Sequence, residues 1–269
     1  MQFAKVNDIV VHYDLRWNGN DKPVLVFINS LGTDFRIWNK VRARLGHDVS
    51  TLVYDKRGHG LSDIGKTPYT IELLAQDLIA LLDRLSIHKA VICGLSVGGL
   101  IAQGLYAARP DLVAGLVLSN TAHKIGTPEM WNARIDAIMQ NGLASILDAT
   151  MPRWFTAAYR RPDNAAYQAY CNMFTRQPLE GYATTPARPF AMRISRRQPT
   201  KFPCRSGASP GIRTARHPPL WYKSWRASSP AQFSPRSPIA ATSPASSSRM
   251  PILRCCGIFS HIIYCMENE

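Results

Sequence analysis

Short apolar runs alternate with helix-period stretches along the first 122 residues, and that alternation leaves few folds open. "VLVFIN" (24–29), "VSTLVYD" (49–55), "KAVICG" (89–94) and "VAGLVLSN" (113–120) are brief and rich in Val, Ile and Leu. Between them, "YTIELLAQDLIALLDRLSI" (69–87) and "VGGLIAQGLYAARP" (97–110) place apolar residues at helical spacing, the second closed by Pro110. Apolar runs of this kind are buried on both sides, which requires helices on both faces of a largely parallel sheet. At the start of the chain, "FAKVNDIVVHYDLRW" alternates on either side of Asn7-Asp8, the pattern of a β-hairpin. The expected class is α/β, with a mostly parallel sheet.

From Pro128 to Thr184 the pattern turns helical, in "WNARIDAIMQNGLASILDAT" and "AYQAYCNMF", with no clear strand. This stretch is expected to form a helical lid over the C-terminal edge of the sheet. The chain therefore divides into a core (1–122), a lid (123–184) and a third segment (185–269) of different character. The third segment holds 13 of the 32 Lys and Arg but only 2 of the 18 Asp and Glu, and 12 of the 19 Pro. No Asp follows Asp163.

That distribution decides how the net charge of +14 is read. A basic protein suggests a polyanion partner such as nucleic acid, but residues 1–184 are close to balanced and the excess sits in the third segment. Nucleic acid is not the expected partner. No run approaches the length of a membrane span, and "MQFAKVNDIVVHYDL" lacks the basic start and apolar stretch of a signal peptide. The six Cys show no framework spacing and no CxxC pair, so reduced thiols in the cytoplasm are expected, with no metal site.

The chemistry centres on Gly94-Leu95-Ser96-Val97-Gly98, a G-x-S-x-G pattern. Glycine-bearing strand-to-helix turns without chemistry share it, so context matters. Here it ends a predicted strand and opens a predicted helix, which exposes the Ser96 hydroxyl at the sheet edge as a nucleophile. The following helix aims its first N–H groups at a developing oxyanion. Val97 N–H is one expected donor; the second is expected from Leu31, in "FINSLGTDFRIW" after an earlier strand. His59, in the Gly-rich loop "YDKRGHGLSD", is expected to be structural rather than a catalytic base.

These motifs in this order resemble the α/β-hydrolase superfamily. "NSLG", "DKRGHGLS", "GLSVGG", "WNARI" and "RWFTAAYR" together resemble the 3-oxoadipate enol-lactonase family, over about residues 1–184. The resemblance implies the α/β-hydrolase fold, a Ser/Asp/His triad, no metal or cofactor, and a small lactone substrate carrying a carboxylate, in the β-ketoadipate pathway of aromatic catabolism. Trp131 and Arg134 on the lid are candidate substrate contacts, Arg being suited to a carboxylate; packing and solvation of a lid helix is the competing role. A general carboxylesterase, and a non-enzymatic polyanion-binding protein using the basic segment, are the rival functions.

The family order of Ser, Asp, His then meets a difficulty. The acid has no candidate after Asp163, and the remaining bases are His217 and His261, neither flanked by Gly. His261, in "SHIIYCMENE", is a weak candidate for a displaced base. Shifting the reading frame back by one nucleotide permits, over residues 201–219, a strand followed by G-D-Q-D-G-S-T-P-P. Over residues 238–249 it permits D-C-G-H-I-P. One displacement thus recovers an acid loop and a Gly-His in the family order. The third segment is expected to be a frameshifted product beginning near Thr184, leaving the last third of the fold incomplete or aberrant.

Overall fold

The computed structural model describes residues 1–19, 22–122 and 125–184. The segment 185–269, with His217 and His261, lies outside the described residues. Six strands, β1 (Gln2–Val6), β2 (Ile9–Arg16), β3 (Val24–Ile28), β4 (Thr51–Tyr54), β5 (Ala90–Leu95) and β6 (Val113–Ser119), form one sheet in the order β1-β2-β4-β3-β5-β6. The four strands from β4 to β6 run parallel, and the β1–β2 hairpin joins antiparallel to β4. Asn7 takes φ 50° at the hairpin turn, a conformation Asn tolerates better than most residues.

Between the strands lie α1 (Asn39–Leu45), α2 (Ile71–Arg84) and α3 (Val97–Ala108). Helix α2 begins where Thr70 accepts a hydrogen bond from Leu73 N–H, and its buried face runs through Ile71, Leu74, Leu78 and Leu82. The central strands are buried almost throughout, with Val26, Ile28, Leu52, Val53, Ala90 and Ile92 sealed from solvent. That burial explains their unbroken apolar runs.

Residues beyond β6 form α4 (Pro128–Asn141), α5 (Leu147–Trp154), α6 (Ala165–Thr175) and α7 (Leu179–Thr184). Their own core gathers Ile138, Leu143, Met151, Phe155, Tyr159, Phe174 and Tyr182, against which Leu31 of the β3–α1 loop also packs. The lid is fastened to the loop after β4. Gly58 and Gly181 meet backbone to backbone, so closely that a Cβ on Gly58 would fall 2.6 Å from Gly181 Cα. Gly60 N–H donates to Gln177 Oε1 at 2.9 Å, and Tyr69 N–H to the Thr184 carbonyl at 3.1 Å.

Candidate active site

Strand β5 runs into α3 with Ser96 as the single joint. Ser96 adopts φ 56° and ψ −117°, a backbone conformation that costs an L-residue about 1–3 kcal/mol and persists only where its surroundings enforce it. They do. Ser96 N–H donates to the Ser119 carbonyl of β6 at 2.9 Å. The Ser96 carbonyl accepts from Thr121 Oγ1 at 2.7 Å and from Gly99 N–H at 2.9 Å. The flanking glycines are needed for clearance: a Cβ on Gly94 would lie 2.3 Å from Gly98 O, and one on Gly98 would lie 2.4 Å from Ile28 O.

That last contact also locates the neighbouring loop. The β3–β5 register sets Ile28 beside Gly94, so the loops leaving both residues emerge side by side at the C-terminal edge. Ser96 and Val97, at the start of α3, and Leu31, two residues past Asn29, are thereby brought to the same edge of the sheet. Val97 N–H is among the first amides of α3, which have no partner within the helix.

The loop 29–33 is held from below. The Ser30 carbonyl accepts from Lys56 Nζ at 2.7 Å and from Thr33 Oγ1 at 2.9 Å. Gly32 N–H donates to His59 Nε2 at 3.1 Å, while His59 Nδ1 lies 3.2 Å from the Arg57 carbonyl. With Nε2 accepting, Nδ1 carries the proton and donates to that carbonyl. Asn29 Nδ2 donates to the Thr33 carbonyl. Phe174 and Tyr182 of the lid press on Gly32, where a Cβ would come within 2.8 Å and 2.9 Å of their rings. Lys56 and His59 are 2% and 0% exposed. Burial pushes the Lys56 ammonium well below its ordinary pKa, opposed by the negative charges of Asp55 and Asp34. Burial, and then the charge of Lys56, push His59 well below its own value. His59 is thus a neutral support, matching the hydrogen bonds it makes.

No described histidine is placed to serve Ser96. His12 pairs with Asp55 at 2.8 Å beneath Phe3 and Phe35. His47 and His88 are exposed and precede β4 and β5, at the opposite edge of the sheet from Ser96. Among the described residues, no group of three His, Cys, Asp or Glu is placed to hold a metal ion, and no helix is long and apolar enough to cross a membrane.

The two lid candidates are held by lid contacts. Arg134 donates from Nε to Tyr182 OH at 2.8 Å and from Nη2 to Thr150 Oγ1 at 3.0 Å, with its guanidinium 5.6 Å from the Tyr182 ring centre. Trp131 Nε1 donates to the Ile125 carbonyl at 2.8 Å. Since Tyr182 also touches Gly32, Arg134 stands one side chain away from the 29–33 loop. Lys56 escaped the sequence reading. It follows Asp55 in an ordinary glycine-rich loop motif, and nothing local marks it as a buried cation.

Residues 23–175 match the family described as alpha/beta hydrolase fold. The chain is 35% identical over 177 residues to 3-oxoadipate enol-lactonase 2 of Acinetobacter baylyi, covering 66% of each. It is 37% identical over 161 residues to 3-oxoadipate enol-lactonase 1 of the same organism, covering 60% of each. The crystal structure of the enol-lactonase from Burkholderia xenovorans superposes with TM-score 0.65 at 39% identity, over 68% of this chain and 71% of that one. A thermophilic esterase from Thermogutta terrifontis gives 0.62 at 26% identity, over 69% and 71%. The chain spans no more than about two thirds of the length of the curated relatives it matches.

Proposed function

Starting from the membership of this chain in the alpha/beta hydrolase fold family, we propose that its site is that of a serine-nucleophile lactone hydrolase. The proposed substrate is 3-oxoadipate enol-lactone. The observation that carries the reading is the strained Ser96 joint between β5 and α3, with the Leu31 loop beside it at the sheet edge. The similarity to enol-lactonases of two organisms supports the substrate.

In the complete reaction a histidine takes the Ser96 proton as Oγ attacks the lactone carbonyl, and an aspartate holds the resulting imidazolium. Leu31 and Val97 N–H stabilise the tetrahedral oxyanion. The ring C–O bond breaks, the enol oxygen leaves with a proton and collapses to the ketone, and water releases the acyl group from Ser96. Arg134, one side chain behind Tyr182, would favour a substrate carboxylate through its charge rather than by direct contact.

This chain does not carry that reaction through. It has no Asp beyond Asp163, and the described histidines are committed elsewhere or lie at the far edge. We read residues 185–269 as the product of a displaced frame, which leaves Ser96 without its partners and this polypeptide with little or no turnover. His261 is kept as a candidate for a displaced base.

The nucleotide sequence over codons 180–250 tests the displacement: the adjacent frame should encode G-D-Q-D-G-S-T-P-P and D-C-G-H-I-P. The chain as written and a frame-restored chain are then assayed on the enol-lactone and on p-nitrophenyl esters. The restored chain should hydrolyse the lactone by preference and lose that activity with Ser96→Ala. Equal or better turnover of simple esters makes it a general carboxylesterase. Triad-dependent turnover by the chain as written refutes the impairment.

A further inference from the structure

We infer that Lys56 is a positioning residue for the oxyanion donor Leu31, acting through the peptide bond between Ser30 and Leu31; this rests on the oxyanion reading above. The Ser30 carbonyl and the Leu31 N–H belong to one peptide unit. The only cis peptide among the described residues is Thr67-Pro68, so this unit is trans, and its C=O and N–H point in opposite directions. Lys56 Nζ, 2.7 Å from Ser30 O, draws the carbonyl toward the interior. The same bond turns Leu31 N–H away from the interior.

The next peptide is pinned in the complementary sense, because Gly32 N–H is committed to His59 Nε2. Gly32 N–H is therefore withheld, whereas Leu31 N–H is turned outward. A donor bonded to the carbonyl does more than orient. Polarising the Ser30 carbonyl withdraws electron density across the amide and makes Leu31 N–H a stronger donor, as in any chain of coupled hydrogen bonds at low dielectric. The negative charges of Asp55 and Asp34 favour the protonated form of Lys56 against the burial that opposes it.

Stability alone gives little reason to bury this lysine. An ammonium removed from water carries a desolvation cost of several kcal/mol. The Ser30 carbonyl already has a neutral partner in Thr33 Oγ1 at 2.9 Å. A methionine at position 56 would fill similar space and leave that carbonyl satisfied. Lys56 therefore contributes orientation and polarity at Leu31 rather than net folding energy.

The test uses the full chain with Lys56→Met, and with Thr33→Val as a neutral-donor comparison. Backbone amide NMR reads Leu31, and phenylboronic acid, which forms a tetrahedral adduct with a serine hydroxyl, reads the oxyanion site. In Lys56→Met the Leu31 amide resonance should move more than any outside residues 30–34 and 55–57. Phenylboronic acid affinity should fall about tenfold, short of the loss of a whole oxyanion donor, with the melting temperature unchanged or higher. Thr33→Val should give the smaller effect on both readouts. Unchanged Leu31 resonances and affinity overturn the proposal. So does a melting temperature that falls in step with affinity, since that is the mark of a merely structural lysine. If the wild-type Leu31 and Val97 amides ignore phenylboronic acid, or respond equally in Ser96→Ala, the oxyanion reading itself has failed and the proposal falls with it.

Discussion

Replacing Gly98 by alanine sets a methyl group 2.4 Å from the Ile28 carbonyl oxygen, 2.9 Å from its carbon and 3.1 Å from Asn29 O. Real Cβ atoms essentially never come within 3.0 Å of another heavy atom, so α3 and the end of β3 must separate by about 0.6 Å. Both neighbours are backbone and neither has a rotamer to escape into. Overpacking of this kind costs about 1–3 kcal/mol, of which the better helix propensity of alanine returns at most about 1 kcal/mol. Gly104→Ala in the same helix is the internal comparison. Its methyl would meet Ile71 Cγ2 at 2.9 Å, an overlap of about 0.1 Å against a side chain that can adjust. Gly104→Ala should therefore be neutral or stabilising, and Gly98→Ala net destabilising by about 1–2 kcal/mol. Urea unfolding followed by circular dichroism measures both, and equal midpoints for the two variants would refute the reasoning. Because the separation occurs between Val97 and the Leu31 loop, Gly98→Ala should also weaken phenylboronic acid binding.

Arg57, fully buried, is held by Asp77 at 2.8 Å and by the half-exposed Asp8 at 2.5 Å. Asp77→Ala should cost about 3 kcal/mol, since it leaves the buried Arg57 charge paired only with half-exposed Asp8, and Asp8→Ala clearly less; urea midpoints of the two variants give the comparison. Arg57 beside it holds the Asp8 carboxyl at about 2, below its ordinary value of 3.8. A depressed pKa contributes stability that is present above pH 3.8 and lost as pH falls toward 2, so Asp8→Asn should flatten the acid limb of a stability profile in that window. Burial pushes the Cys93 thiol up to about 12. In native protein it should resist iodoacetamide and react only after unfolding, as peptide mapping by mass spectrometry would reveal.

How far the fold could be read in advance depended on how local its causes are. The β1–β2 hairpin was legible because alternation and an Asn-Asp turn act over a few residues. The strand-to-helix joint at Ser96 was legible because glycine clearance and the change of period both fall within Gly94–Gly99. The stretch after β6 was legible as helical, though not as a layer pressing Phe174 and Tyr182 onto Gly32. The break in charge and proline content near Thr184 is a property of the sequence alone.

Contacts between distant residues were a different matter. Gly58 needs its lack of a side chain because Gly181 approaches it from 123 positions away. Arg134 looks like a free cation on a lid helix, yet Tyr182 and Thr150 take up its donors. Lys56 looks like a surface lysine in a glycine-rich loop, yet the fold buries it beneath Ser30. Composition and periodicity report which face of an element is apolar, because burial repeats with the backbone period. They carry no information on which polar group meets which across the fold, since that depends on the packing of whole elements. The sequence by itself determined the α/β class, the strand-to-helix joint at Ser96 and the break in composition near Thr184. Only the tertiary structure decided what holds the 29–33 loop in place.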